Sequence, residues 1–221
     1  MQSDFWHQRW QRNEIGFHQD EVNLHLREYW PQVGAREGGT VFVPLCGKSN
    51  DMLWLRERGH PVIGVELSPL AAEAFFRENA LEATRLSDER YERWQAGDLT
   101  LLCGDYFDLK PEDMAGVTGV YDRASLIALP PDMRTRYAVQ LIDLFKGRVP
   151  VLLVTLEYPE EQMQGPPFCV HEDEVRRLYG AHYEISCLVE HDVLADNPHL
   201  RGKGIDYLTE KAYALRPAAQ S

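Results

Sequence analysis

Four residues of the 221-residue chain have the type and spacing to hold a small, partly charged ligand: Gly47, Glu66, Asp105 and Arg123. Gly47 follows the apolar run Thr40-Val-Phe-Val43 and lets a backbone turn come close to a ligand. Glu66 ends a second run, Val62-Ile-Gly-Val65. The two stand 19 residues apart, close to the roughly 20 expected between a nucleotide-binding glycine turn and an acid that accepts from ribose hydroxyls. Asp105 follows Leu99-Thr-Leu-Leu-Cys103 and can accept from an adenine amino group, although Gly104-Asp105 is also ordinary turn chemistry. Arg123 follows Gly119-Val-Tyr-Asp122, where a guanidinium can grip a carboxylate through two bonds. Its rival reading is a structural ion pair with Asp122 or another acid, since Arg is seldom buried alone. Together the four describe a site for an adenosine-containing ligand.

Each residue sits at the carboxyl end of an expected strand, where ligands bind in open α/β sheets. Strand, turn, helix and strand over residues 40–66 form a right-handed crossover. Ser49 or Asn50 is placed to cap a helix from about Asp51 that stops at Gly59. Helices are expected over 69–79, 133–146 (capped by Asp132) and 172–179, and the most apolar strand over 149–156, with its regular ladder from Val151. The charged stretch 80–96 reads as an exposed connection. Alternation from Tyr183 to Val189 marks a half-buried strand, and 205–215 a last strand, antiparallel to its neighbour, with a helix as the rival reading because its alternation is imperfect.

Ahead of the sheet, 3–13 and 19–30 read as two helices, the second closed by Pro31. They make a cap over 1–35 on a core of 36–221, within one domain. Trp6, Trp10 and Phe17 are either its packing surface or, for Trp10 and Phe17, ligand contacts. The segment Glu157–Phe168 holds three prolines and leaves the central strand, as binding loops do; Met163 and Phe168 are its candidate apolar wall.

Composition narrows the ligand. The net charge of −12 repels phosphate backbones and anionic membranes, so neither nucleic acid nor membrane is an expected partner. No apolar run approaches the roughly 20 residues of a bilayer span, and the polar N-terminus has no signal-peptide core. Four widely spaced cysteines without a C-x-x-C pair suit reduced thiols in the cytoplasm. The eight histidines are scattered, so no metal site is expected, and spacing supports no catalytic triad. Gly47-Lys-Ser49 is not a phosphate cradle, because the required earlier glycine is Phe42. A single glycine in the turn also excludes the dinucleotide fingerprint. A ligand with ribose and adenine but no phosphate remains, and S-adenosylmethionine fits. Glu66 would take its ribose, the Leu45-Cys46-Gly47 backbone its methionine part and Arg123 its carboxylate.

The joint pattern Phe17-His-Gln19, Pro44-Leu-Cys-Gly-Lys48, Arg58-Gly-His-Pro-Val-Ile-Gly-Val-Glu66, Asp122-Arg-Ala124, Gly165-Pro-Pro-Phe168 and Gly204-Ile-Asp206 resembles thiopurine S-methyltransferase, in its bacterial branch, over nearly the whole chain. The resemblance implies a class I (Rossmann-like) α/β methyltransferase with a mostly parallel seven-stranded sheet, an antiparallel last strand and an N-terminal helical cap. It implies cofactor contacts at Trp10, Leu45, Gly47, Glu66 and Arg123, with the backbone around Asp105 and Tyr106 nearby, and acceptor contacts at Phe17 and Phe168. The expected function is S-adenosylmethionine-dependent S-methylation of thiopurines or other aromatic thiols by a cytoplasmic monomer. Some bacterial members are associated with methylating selenium or tellurium compounds, so a metalloid acceptor is one alternative and a non-catalytic cofactor-binding module another. A sulfur nucleophile needs little base assistance, so no catalytic base is assigned. Arg123 is the single catalytic candidate, for developing charge on the acceptor ring.

Overall fold

Nine strands form one sheet in the computed structural model, which describes residues 3–16 and 18–219. They are β1 (Thr40–Val43), β2 (Val62–Glu66), β3 (Thr84–Ser87), β4 (Glu92–Ala96), β5 (Leu99–Cys103), β6 (Val117–Arg123), β7 (Val151–Glu157), β8 (Tyr183–Asp192) and β9 (Thr209–Pro217). The helices are α1 (Ser3–Gln11), α2 (Leu24–Val33), α3 (Asp51–Glu57), α4 (Pro69–Glu78), α5 (Pro131–Phe145), α6 (Glu172–Tyr179) and the single turn α7 (Pro198–Arg201). The sheet order is β3-β4-β5-β2-β1-β6-β7-β9-β8. The pairs β5–β2, β2–β1, β1–β6 and β6–β7 are parallel; β9 runs antiparallel to both β7 and β8.

Seven of these strands make the expected sheet with its antiparallel last strand. The other two correct the reading of 80–96 as an irregular connection: β3 and β4 form a hairpin that extends the sheet beyond β5. Its charges hide a two-residue alternation. Trp94 and Ala96 are buried while Gln95 is exposed, and the Trp94 indole stacks on Phe76 at 5.4 Å under the Arg85 guanidinium, 3.5 Å from its centroid.

Successive residues of a strand point to opposite faces, and Val41, Phe42 and Val43 divide accordingly. Phe42 joins the core beneath α5 and α6, with Leu153, Tyr137, Leu141 and Val175. Val41 and Val43 join the core beneath α2, α3 and α4, with Leu26, Trp30, Met52, Leu55 and Phe75. Both faces of the sheet's centre are thus covered, as a parallel sheet requires.

Three helix boundaries depart from expectation. Helix α2 starts at Leu24, not near residue 19, because the Asn23 side chain caps it by accepting from the His25 and Leu26 amides at 3.0 and 3.3 Å. Pro31 lies inside α2 instead of closing it, and the chain leaves at Gly34 in the left-handed conformation. Pro130, not Asp132, is the cap residue of α5; Asp132 sits in its first turn. Among the described residues no helix is long and apolar enough to cross a membrane.

Candidate functional site

A cavity of about 910 Å³ opens at the carboxyl ends of β1, β2, β5, β6 and β7. Trp10, Leu45, Gly47, Glu66, Asp105, Tyr106 and Arg123 all line it, so the geometry gathers seven of the nine expected site residues around one space. Phe17 lies outside the described residues. Phe168 is not part of the lining; its neighbours Pro166 and Pro167 are.

The turn after β1 is held in a sparsely populated backbone state. Leu45 has φ of 44° and Gly47 of 54°, and a non-glycine residue in that region costs about 1–3 kcal/mol unless its surroundings enforce it. Here they do. The Cys46 amide donates to the Val65 carbonyl at 2.9 Å, and the Gly47 amide donates to Glu66 Oε2 at 2.9 Å. Glu66 Oε1 accepts from the Ser68 amide at 2.7 Å. Glu66 therefore ties the turn to the end of β2, while each carboxylate oxygen keeps a second lone pair. Burial pushes its carboxyl up to about 7, against the lowering effect of those amides. Gly64 lets the turn sit so close: a Cβ there would lie 2.8 Å from Cys46 Sγ and 3.0 Å from Met52 Sδ. The Trp10 ring roofs the turn, 3.4 Å from where a Gly47 Cβ would stand.

Lys48 turns away to Glu78 at 2.6 Å, in keeping with the absence of a phosphate cradle. At the end of β5 the Asp105 side chain accepts from the Phe107 amide at 2.9 Å, while its carbonyl accepts from the Tyr91 hydroxyl at 2.8 Å. Tyr106 stacks on Tyr137 with ring centroids 4.6 Å apart. These contacts fix a shallow turn at the cavity's edge.

Arg123 has a partner, though not Asp122. Its Nη1 lies 3.4 Å from Asp51 Oδ2, whereas Asp122 accepts from the Tyr137 hydroxyl at 2.7 Å on the opposite face. Asp51 is only 1 % exposed and gathers more: its Oδ2 accepts from the Tyr121 hydroxyl at 2.9 Å and its Oδ1 from the Asn23 amide at 2.8 Å. One carboxylate thus joins the cap, the start of α3 and the end of β6. In sequence Asp51 looks like an ordinary first-turn acid, so nothing there marks this role. Ala124, immediately after β6, also has a positive φ of 62°.

The far side of the cavity was not legible in advance. His25 from α2, Thr155 from β7, His191 from β8 and Glu210 from β9 line it, with Val193 and Leu200 from the connection between β8 and β9. No motif unites them; only the β7–β9–β8 pairing and the cap bring them together. The loop after β7 is anchored by the Phe168 amide donating to the Ile127 carbonyl at 2.7 Å and by the Tyr158 hydroxyl donating to the Pro167 carbonyl at 2.7 Å. Met163 does not line the cavity; it packs against a small satellite core of Tyr158, Cys169 and Leu208 that also includes the lining residues Val193 and Leu200. Among the described residues two groupings of side chains that could ligate a metal, Glu160–Cys169–His171 and Glu172–Cys187–Glu190, also fall outside the lining.

Comparison with known proteins places this architecture among close relatives. The family model for thiopurine S-methyltransferase matches residues 1–218. The thiopurine S-methyltransferase of Methylococcus capsulatus is 51 % identical over 222 aligned residues, covering 100 % of both chains. That of Nitrosospira multiformis is 48 % identical, covering 97 % of this chain and 98 % of its own. Among solved structures, an S-adenosylmethionine-dependent methyltransferase from Anabaena variabilis superposes with a TM-score of 0.67 at 14 % identity, over 98 % of this chain and 95 % of that one. A Burkholderia thailandensis 1,6-didemethyltoxoflavin N1-methyltransferase, solved with S-adenosylhomocysteine, gives 0.61 at 16 % identity, over 98 % and 87 %. At such identities the structural likeness speaks for the fold alone.

Proposed function

The chain belongs to the thiopurine S-methyltransferase family, and from that premise we propose that it methylates the sulfur of thiopurines or related heteroaromatic thiols. It is an S-adenosylmethionine-dependent methyltransferase. What carries the acceptor reading is one cavity lined by Glu66 and the Leu45–Gly47 turn and also by residues of α2, β7, β8 and β9. A volume of about 910 Å³ is at the upper end of the roughly 300–1,000 Å³ usual for ligand pockets, which suits two ligands meeting inside it.

The residues present suit the donor. Glu66 keeps lone pairs toward the cavity for ribose hydroxyls, the strained turn at Leu45 and Gly47 leaves its backbone against the lining, and Arg123 offers a guanidinium for a carboxylate. Bound there, S-adenosylmethionine supplies an electrophilic methyl group on a cationic sulfonium. The chain's own contribution is to position and to exclude water. Trp10 closes over the glycine turn, and Pro166, Pro167 and Leu129 line the cavity with apolar surface. Holding two reactants in line is worth several kcal/mol by itself, on the order of 7–11 in favourable cases. Asp51 keeps Arg123 at the end of β6, on the same face of the sheet as Tyr121.

Incubation with methyl-labelled S-adenosylmethionine and a panel of thiopurines, arenethiols and alkyl thiols tests the reading. Label is expected on the sulfur of the heteroaromatic acceptors. Transfer to none of them, with tight cofactor binding retained, would overturn it.

A further inference from the structure

On the β9 side of the cavity one carboxylate faces a buried imidazole. Glu210 Oε2 lies 2.9 Å from His25 Nε2, and the two side chains are 17 % and 2 % exposed. The approach is off-line: neither nitrogen of the His25 ring has an aligned hydrogen-bond partner among the described residues. His191 stands opposite Glu210 in the β8–β9 ladder, its ring edge-on to His25 with centroids 6.0 Å apart. All three line the cavity. The adjacent Lys211 pairs with Glu157 and Glu190 instead.

The strand register sets this group against the rest of the site. Arg123 pairs with Val154 and Val154 with Ala212. Glu210 lies two residues before Ala212, so Glu210 and Arg123 share a sheet face. Two strand spacings across and two residues along separate their backbones by roughly 12 Å. Arg123 reaches from β6 to Asp51 and Glu210 from β9 to His25, so the two charged groups stand at different places along one lined face of the cavity.

Chemistry gives the carboxylate a task. A thiopurine is largely a thione, with its proton on a ring nitrogen. When the sulfur attacks, a C–S bond to the methyl forms, and the donor's sulfonium C–S bond breaks with its electron pair left on the donor sulfur. The acceptor ring is then cationic until its N–H bond breaks, those electrons becoming the ring C=N bond and the proton leaving to a base. We propose that Glu210 is that base, receiving the ring proton, with His25, 2.9 Å away, as a positioning residue that holds the carboxylate in place. The assignment rests on the thiopurine reading above. It also makes the site selective: an acceptor that arrives as a thiolate has no proton to give and gains nothing from Glu210.

That selectivity is the test. Initial rates of the wild type, Glu210→Gln, Glu210→Asp and His25→Gln are compared at saturating S-adenosylmethionine on two acceptors, a thiopurine thione and a nitro-substituted arenethiol that is fully ionised at neutral pH. Binding of S-adenosylhomocysteine by calorimetry checks that each variant is folded. Glu210→Gln is expected to lose about 10²-fold in kcat on the thione, the usual scale of general-base assistance, and less than about threefold on the thiolate. His25→Gln should lose less, in the same direction, and Glu210→Asp should recover part of the thione rate. Equal losses on both acceptors, or no loss on either, would overturn the proposal while leaving the thiopurine reading intact. A wild-type enzyme active on the thiolate but inert on the thione would overturn both.

Discussion

The two ends of the cavity are built by different means. The donor end is made of neighbours in sequence: the turn at Leu45–Gly47 and Glu66 are joined by one crossover, and their key contacts are backbone amides to a carboxylate. The other end, proposed for the acceptor, is made of side chains from α2, β7, β8, β9 and two loops, separated by up to most of the chain's length. Local backbone geometry makes the first end stiff and chemically plain. Side chains on separate elements make the second adjustable, since any one can change without moving the turn proposed to hold the cofactor. Asp51 is the exception that binds the two together.

Breaking that link should have the largest effect. Asp51→Ala strands the Asn23 amide and the Tyr121 hydroxyl, and leaves Arg123 without its carboxylate. Loss of the buried charged partner is expected to cost about 3–5 kcal/mol of stability, and to weaken donor and acceptor binding together. Urea unfolding with calorimetry would measure both; a variant that lost one ligand only would show that the ends are not coupled there.

Glu66→Ala separates them. Ribose hydroxyls lose a charged acceptor, so S-adenosylmethionine affinity should fall by about 1.5–3 kcal/mol, roughly 10- to 100-fold, with the acceptor KM nearly constant once the cofactor is saturating. Unchanged titration isotherms would remove Glu66 from the cofactor site. Val193→Ala is the mirror experiment. Val193 is 9 % exposed and lines the cavity after β8, and losing two methyl groups there should cost about 1 kcal/mol of acceptor binding, seen as a raised KM with cofactor affinity intact.

The smallest effect is a pH dependence confined to the donor end. Burial raises the Glu66 carboxyl from 4.5 to about 7, and ribose hydroxyls donate to its ionised form. Cofactor affinity should therefore be full above about pH 7 and fall on acidification through it, by at most about tenfold per unit. The cofactor-free protein behaves oppositely. With the folded pKa above the unfolded one, this group's stabilising contribution is complete below 4.5 and is lost as pH rises to about 7. Glu66→Gln should flatten both profiles; an unaltered affinity profile in that variant would assign the titration elsewhere.

Legibility follows the same division. Short apolar runs ending in Gly47, Glu66, Asp105 and Arg123 announce parallel strands and their ends because strand period and crossover spacing are local properties. The hairpin Thr84–Ala96 was missed because its alternation is carried by two buried positions among charges. Pro31 misled because a proline marks a helix end only when the helix has no partner to continue against, and α2 packs Leu26, Trp30 and Val33 into the core on either side of it. The rival reading of Arg123 as an ion pair proved partly apt, but its partner, Asp51, lies 72 residues away.

Sequence alone determined the donor: one glycine, one acid and no phosphate cradle within a single crossover limit the ligand to a phosphate-free adenosine compound. Only the tertiary structure decided what lines the other end of the cavity, because Glu210, His25 and His191 have no fixed spacing and meet through antiparallel pairing at the end of the chain and a helix from its beginning. Contacts between distant segments depend on packing and register, and register has no signature short of the fold itself.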